Sequence, residues 1–125
     1  MPHIVLEYSD NLPPLPDFRA LFDDIHRALN RIGGIKLENC KSRARAAAHC
    51  YIGDGNPDNA FIHLDIEFIA GRDTGVKQAI GRECLELLRR YYELHLSEQL
   101  QITVRIDDIA LDFYFKHPAG SLEYP

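Results

Sequence analysis

Directly behind the initiator methionine stands a proline, Pro2. Inside a chain the proline nitrogen is a closed amide without a proton to donate. Once Met1 is removed, the same atom becomes a basic secondary amine held in a rigid ring, able to accept a proton and return it. With Met1 retained, Pro2 has no such lone pair. A small residue after methionine is common, so the position alone decides little, and its weight comes from the next six residues. Ile4, Leu6 and Tyr8 alternate with His3, Val5 and Glu7 in the two-residue period of a strand. Termini usually fray, but a strand beginning at Pro2 could hold its nitrogen to the tolerance that proton transfer requires.

Cations form the second candidate group. Lys41, Arg43 and Arg45 are spaced by two, so on a strand they share one face. Such a row is either a solvated polar face or a place where an anion relieves the repulsion, with arginine best suited to a carboxylate through its bidentate fork. Arg72 follows Ala70-Gly71 and precedes Asp73, a candidate helix N-cap. It is placed for anion binding beside free helix amides, or else for a surface pair with Asp73. His63, Asp65 and Glu67 share a strand face and superficially resemble a metal triad, but no second histidine stands at ligand spacing, and no metal is expected. His26 and His95 fall in helical stretches without acidic or serine partners in a recognisable arrangement. No glycine-rich phosphate loop, GxSxG elbow or Cys-His nucleophile pattern is present.

The elements that must position these groups come as a repeat. His3-Ile4-Val5-Leu6-Glu7-Tyr8 is echoed by His63-Leu64-Asp65-Ile66-Glu67-Phe68. Each copy is followed by apolar residues at three-to-four spacing: Phe18, Leu21, Phe22, Ile25, Leu29 and Ile32 in one, Val76, Ile80, Cys84, Leu87, Tyr91 and Leu94 in the other. Pro16-Asp17 and Asp73 mark the helix starts, and Gly33-Gly34 stops the first. Closing strands are expected around Leu37 to Arg45 and from Gln101 to Asp107, and Gly53 to Asn59 is a joining loop.

The reading is α+β, one domain over residues 1–125. Tandem βαβ units at about 2–48 and 60–107 would form a four-stranded sheet with two helices on one face. One more strand is expected at about 110–116, where Leu111, Phe113 and Phe115 alternate with polar neighbours, suited to a neighbouring subunit's sheet edge. The open sheet face needs a cover. Leu85, Leu88, Tyr92 and Leu96, off the main stripe of the second helix, point to subunit association.

A chain of 125 residues, 46% hydrophobic and 26% charged, can bury its own core. Its net charge of -5 argues against general nucleic-acid binding. Cys40, Cys50 and Cys84, odd in number and without CxxC spacing, read as reduced thiols, two of them buried. With no apolar run of membrane-spanning length and no signal segment, a cytoplasmic location away from membranes is expected.

Several of these residues together resemble the 5-carboxymethyl-2-hydroxymuconate isomerase family of the tautomerase superfamily. They are the run Pro2 to Asn11, Ser42-Arg43, Asp54-Gly55, Ala60-Phe61 with His63, Ala70-Gly71-Arg72 and Phe115-Lys116. The resemblance covers nearly the whole chain. It implies a homotrimer that shifts a proton on a small unsaturated carboxylate from aromatic (homoprotocatechuate) catabolism, without a cofactor. Pro2 would be the catalytic acid and base, its ammonium form disfavoured by nearby arginines and partial desolvation. Arg72 and Arg43 would bind carboxylate and dienolate, Lys41 would supply a further cation, and Phe115 would join the substrate-binding residues. Lys41 stands where the resemblance leads one to expect an arginine, so a point charge replaces a fork. The alternatives are a tautomerase of the same fold acting on another unsaturated 2-keto or 2-hydroxy acid, and a catalytically silent trimeric binding protein.

Overall fold

The computed structural model describes residues 1–15 and 17–118. Strand β1 (His3–Ser9) leads to helix α1 (Phe18–Gly33) and strand β2 (Lys41–Ala47), and strand β3 (Ala60–Ile69) leads to helix α2 (Thr74–Tyr91) and strand β4 (Leu100–Ile109). The sheet order is β2-β1-β3-β4. Each unit contributes a parallel pair, and the units meet through antiparallel β1 and β3, with Ile4 opposite Ile66, Leu6 opposite Leu64 and Tyr8 opposite Ile62. The repeat in the sequence thus becomes an approximate twofold relation, with its two echoing strands side by side at the centre.

Both helices begin where a side chain can satisfy free backbone amides. Asp17 accepts from the Ala20 amide at 3.1 Å, and Asp73 from the Val76 amide at 2.9 Å. Helix α1 ends at Gly34, whose φ of 67° is left-handed, and the Gly34 amide closes onto Asn30 and Leu29 carbonyls. The core lies between the helices and one sheet face. Ile4, Leu6, Ile62, Leu64 and Ile66 are fully buried against Leu21, Ile25, Leu29, Ile80 and Leu88.

Several expectations need correction. The segment expected to be a last strand forms a single 3-10 turn, Leu111–Phe113. Alternation alone did not make it a strand, because it pairs with no other strand among the described residues: Phe113 and Phe115 stand 82% and 87% exposed. Leu37–Asn39 is likewise a 3-10 turn, and β2 starts only at Lys41. Leu88 and Tyr92 are core residues, so they cannot cover a neighbour; Leu85 and Leu96 remain partly exposed beside Leu100 and Ile102 in a groove of about 600 Å3. The open sheet face carries the odd-numbered His3, Glu7, Lys41, Arg43, Arg45, His63, Asp65 and Glu67, a charged surface that water can solvate. Of the three thiols only Cys84 is buried; Cys40 is half-buried and Cys50 exposed.

Candidate active site

Met1 and Pro2 are both buried at the start of β1. The Pro2 carbonyl accepts from the Lys41 amide at 3.1 Å, extending the β1–β2 ladder by one residue. On the other side, His3 lies opposite Glu67, and one further step of the antiparallel register sets Pro2 opposite Phe68. The Arg72 guanidinium lies over the Phe68 ring at 5.3 Å from its centroid. One end of the sheet therefore gathers the beginnings of β1 and β2, the end of β3, and Arg72 just beyond it.

Arg72 is 7% exposed. Its Nε donates to the Gly33 carbonyl at 2.8 Å, placing a cation at the C-terminal end of α1, where helix polarity favours positive charge. The ring of Phe68 adds a cation–π contact. This excludes the surface pair with Asp73, whose carboxylate is committed to capping α2. The turn is made by Gly71, with φ of 136°.

The three β2 cations share the open face but engage different partners. Lys41 Nζ donates to the Asn39 carbonyl at 2.7 Å. Arg43 Nη1 lies 3.1 Å from His3 Nδ1, and Arg45 pairs with Glu7 at 3.7 Å. Lys41 and Arg43 thus stay near the Pro2 end, while Arg45 is drawn along the strand. Phe115 follows Tyr114, whose hydroxyl reaches His3 Nε2 at 2.9 Å, yet its own side chain is turned almost wholly to solvent. Within one chain the strand register sets Pro2, Lys41 and Arg72 at one end of the sheet, with the Lys41 and Arg43 side chains on its open face and Arg72 on the helix side, and leaves Phe115 exposed.

His3, lying between Arg43, Lys41 and Tyr114, has its pKa lowered, first by burial and then by the Arg43 and Lys41 charges; Glu67 opposes this. His26 is also lowered by burial, with Asp23 opposing. Its Nε2 lies 2.7 Å from Ser42 Oγ, a serine partner that sequence reasoning did not find, since the two residues meet only when α1 packs on β2. The contacts of His3 with Arg43 and Tyr114 were missed too, although its place between Pro2 and the cation row was a usable signal. His63 bonds Asp65 and Thr103, and among the described residues no cluster has the makings of a metal site.

A mixed sheet made of two βαβ units with both helices on one side is the tautomerase fold. It is shared with a fused 4-OT symmetric trimer, 19% identical with a TM-score of 0.68 over 95% of this chain and 94% of that one. A 5-carboxymethyl-2-hydroxymuconate isomerase from Deinococcus radiodurans R1 is more similar: 26% identical, TM-score 0.81, covering 92% of this chain and 87% of that one. The 5-carboxymethyl-2-hydroxymuconate Delta-isomerase of Escherichia coli is 28% identical over 117 residues, 93% of each chain. Residues 2–120 match the 5-carboxymethyl-2-hydroxymuconate isomerase family, and the chain belongs to that family and is an isomerase.

Proposed function

We propose that this chain is a 5-carboxymethyl-2-hydroxymuconate Delta-isomerase of homoprotocatechuate catabolism, working as a cytoplasmic homotrimer with Pro2 as its base after loss of Met1. The observation that carries this reading is the burial of Pro2 on a sheet end shared with Arg72. In this mechanism the Pro2 nitrogen takes the hydroxyl proton of the dienol, the electron pair spreads through the conjugated system as a dienolate, and the ammonium returns the proton to the carbon at the far end of the diene, leaving a ketone conjugated with the remaining double bond. No net proton is gained or lost. Arg72 faces the charge that grows on oxygen, where a preorganised cation acts most strongly. Arg43 and Lys41 hold the substrate carboxylates, and Phe115 contributes to the binding surface once it is packed against a neighbouring subunit.

The trimer is supported by the fold shared with a trimeric 4-OT and by the partly exposed Leu85 and Leu96 along α2 and β4. Free thiols at Cys40, Cys50 and Cys84 suit a reducing compartment. No helix among the described residues is long and apolar enough to cross a membrane.

A second reading, another unsaturated 2-keto or 2-hydroxy acid as substrate, is favoured by Lys41, whose ammonium offers one charge without a fork. The test is an ultraviolet assay of the native protein, its N-terminus defined by mass, on 5-carboxymethyl-2-hydroxymuconate, 2-hydroxymuconate and phenylpyruvate. Pro2→Ala should lower turnover on the preferred acid by about 10²-fold or more while assembly persists. Near-normal turnover of that variant would remove Pro2 from the mechanism. Activity on the simpler acids alone would transfer the assignment to the second reading, and inactivity of a processed protein on all three would leave the silent binding protein.

A further inference from the structure

His3 contacts two groups that must be held if the open face beside Pro2 is to bind an anion. Its Nδ1 lies 3.1 Å from Arg43 Nη1 and its Nε2 lies 2.9 Å from the Tyr114 hydroxyl, 111 residues away in sequence. The guanidinium has only donors. Nδ1 must therefore offer its lone pair, which obliges the neutral ring to carry its proton on Nε2 and to donate it to Tyr114. The ring edges meet at 65° with centroids 6.0 Å apart, so Tyr114 also packs against the imidazole. Two polar contacts thus fix one tautomer and connect edge strand, central strand and C-terminal segment.

We propose that His3 is a positioning residue: as the Nε2-protonated neutral imidazole it aims the Arg43 guanidinium for carboxylate capture and ties down the segment that carries Phe115. The proposal rests on the reading of Arg43 as a carboxylate binder. Holding a long side chain in place before substrate arrives removes part of the ordering cost of binding. A protonated His3 could not accept from Arg43 and would repel it.

The surroundings hold the ring neutral at pH 7. From β2 it faces Arg43 and Lys41, and from β3 it faces Glu67, with Asp65 one pleat away in contact with Arg105 and His63. Tyr114 faces it from the C-terminal segment, and the chain's own terminal amine lies near. Burial and the Arg43 and Lys41 charges outweigh Glu67 and lower the pKa below 6.5; the smaller contribution of the Met1 amine is lost with Met1. Protonation then sets in only as the pH falls under that value, and KM for the carboxylate should rise there while Arg43 is released.

The test uses the processed, full-length, assembled protein. Nitrogen-15 NMR of the imidazole should show a bare Nδ1 and a protonated Nε2, and Arg43→Ala should raise the His3 pKa by removing a neighbouring cation. Neither readout needs a substrate. In kinetics on whichever acid proves active, His3→Phe should raise KM about tenfold with kcat little changed and should flatten the acid-side rise of KM. His3→Gln, which keeps an acceptor and a donor, should recover most of the binding. A proton on Nδ1, or a His3 pKa indifferent to Arg43→Ala, overturns the proposal. If Arg43→Ala raises KM but His3→Phe does not, His3 positions nothing and the carboxylate reading of Arg43 stands. If Arg43→Ala leaves KM unchanged, that reading falls and the kinetic role of His3 falls with it.

Discussion

Arg72 and Gly33 are 39 residues apart in sequence and 2.8 Å apart in space, Nε to carbonyl oxygen. This bond ties the turn that follows β3 to the last residue of α1, so the two βαβ units share one fixed point beside Pro2. A methyl group at position 33 would crowd Ile80 Cδ1 at 3.1 Å, while at 3.5 Å it would only reach ordinary contact with Arg72 Nε.

Arg72→Ala should lower kcat/KM by about 10²-fold or more, because substrate charge is present in the ground state and spreads further in the transition state. It should also cost about 1–2 kcal/mol of stability through the lost Gly33 bond. Arg72→Lys should recover only part of the activity, lacking the planar fork. Urea melts beside steady-state kinetics separate the two effects; unchanged kcat/KM on every active acid would reduce Arg72 to a structural tie.

Acid should weaken the fold in a defined window. His26 and His3 titrate below their ordinary value of 6.5 in the folded chain, so on acidification the unfolded chain takes up protons first. Stability should hold above pH 6.5, decline as the pH falls through that value, and level off once the folded-state pKa values are passed. His26→Gln should reduce this slope and leave a remainder from His3. A denaturant midpoint measured across the window gives the answer, and an undiminished slope would mean that His26 is not buried against Ser42 in solution.

At Gly34 the expected effect is purely conformational. A side chain there meets nothing within 4 Å, but φ is 67°. Gly34→Ala should therefore cost about 1–2 kcal/mol, and Gly34→Asn less, because asparagine tolerates the left-handed region better. Equal costs for the two would point to some other constraint at the end of α1.

Light scattering should give a mass three times the 14.3 kDa subunit. Replacing Leu85 and Leu96 together by aspartate should yield smaller species of unchanged helix content, since both residues line the exposed groove beside β4. A fully active wild-type monomer at micromolar concentration would dispose of the trimer and of any site shared between subunits.

The layered fold was readable because its signals are local. The alternation of Ile4, Leu6 and Tyr8, the apolar spacing along α1, and the aspartates capping both helices each act within a few residues, and the structure retains them. The repeat announced two equivalent βαβ units, but that β1 and β3 meet antiparallel at the centre of the sheet was left to the structure. The final strand misled because alternation in Leu111 to Phe115 records side-chain type, whereas a strand also needs a partner for its backbone. In the candidate site, Pro2 and Arg72 were visible through their unusual chain positions. The Gly33 carbonyl, the His26–Ser42 bond and the His3 contacts were not, because each joins elements whose approach is set by packing across the core or the sheet. Chain position carries no record of such distances.

Met1 is fully buried, and Pro2 lies buried behind it. The peptide bond joining them is thus shielded in the folded chain, whereas an aminopeptidase needs a free, extended terminus. For the proposed enzyme this turns activation into a matter of timing during synthesis: the methionine has to leave before β1 settles between β2 and β3, an enclosure that is complete only after Ile69 has been made. A chain that folds with Met1 in place keeps Pro2 as a blocked amide for as long as that end of β1 stays closed.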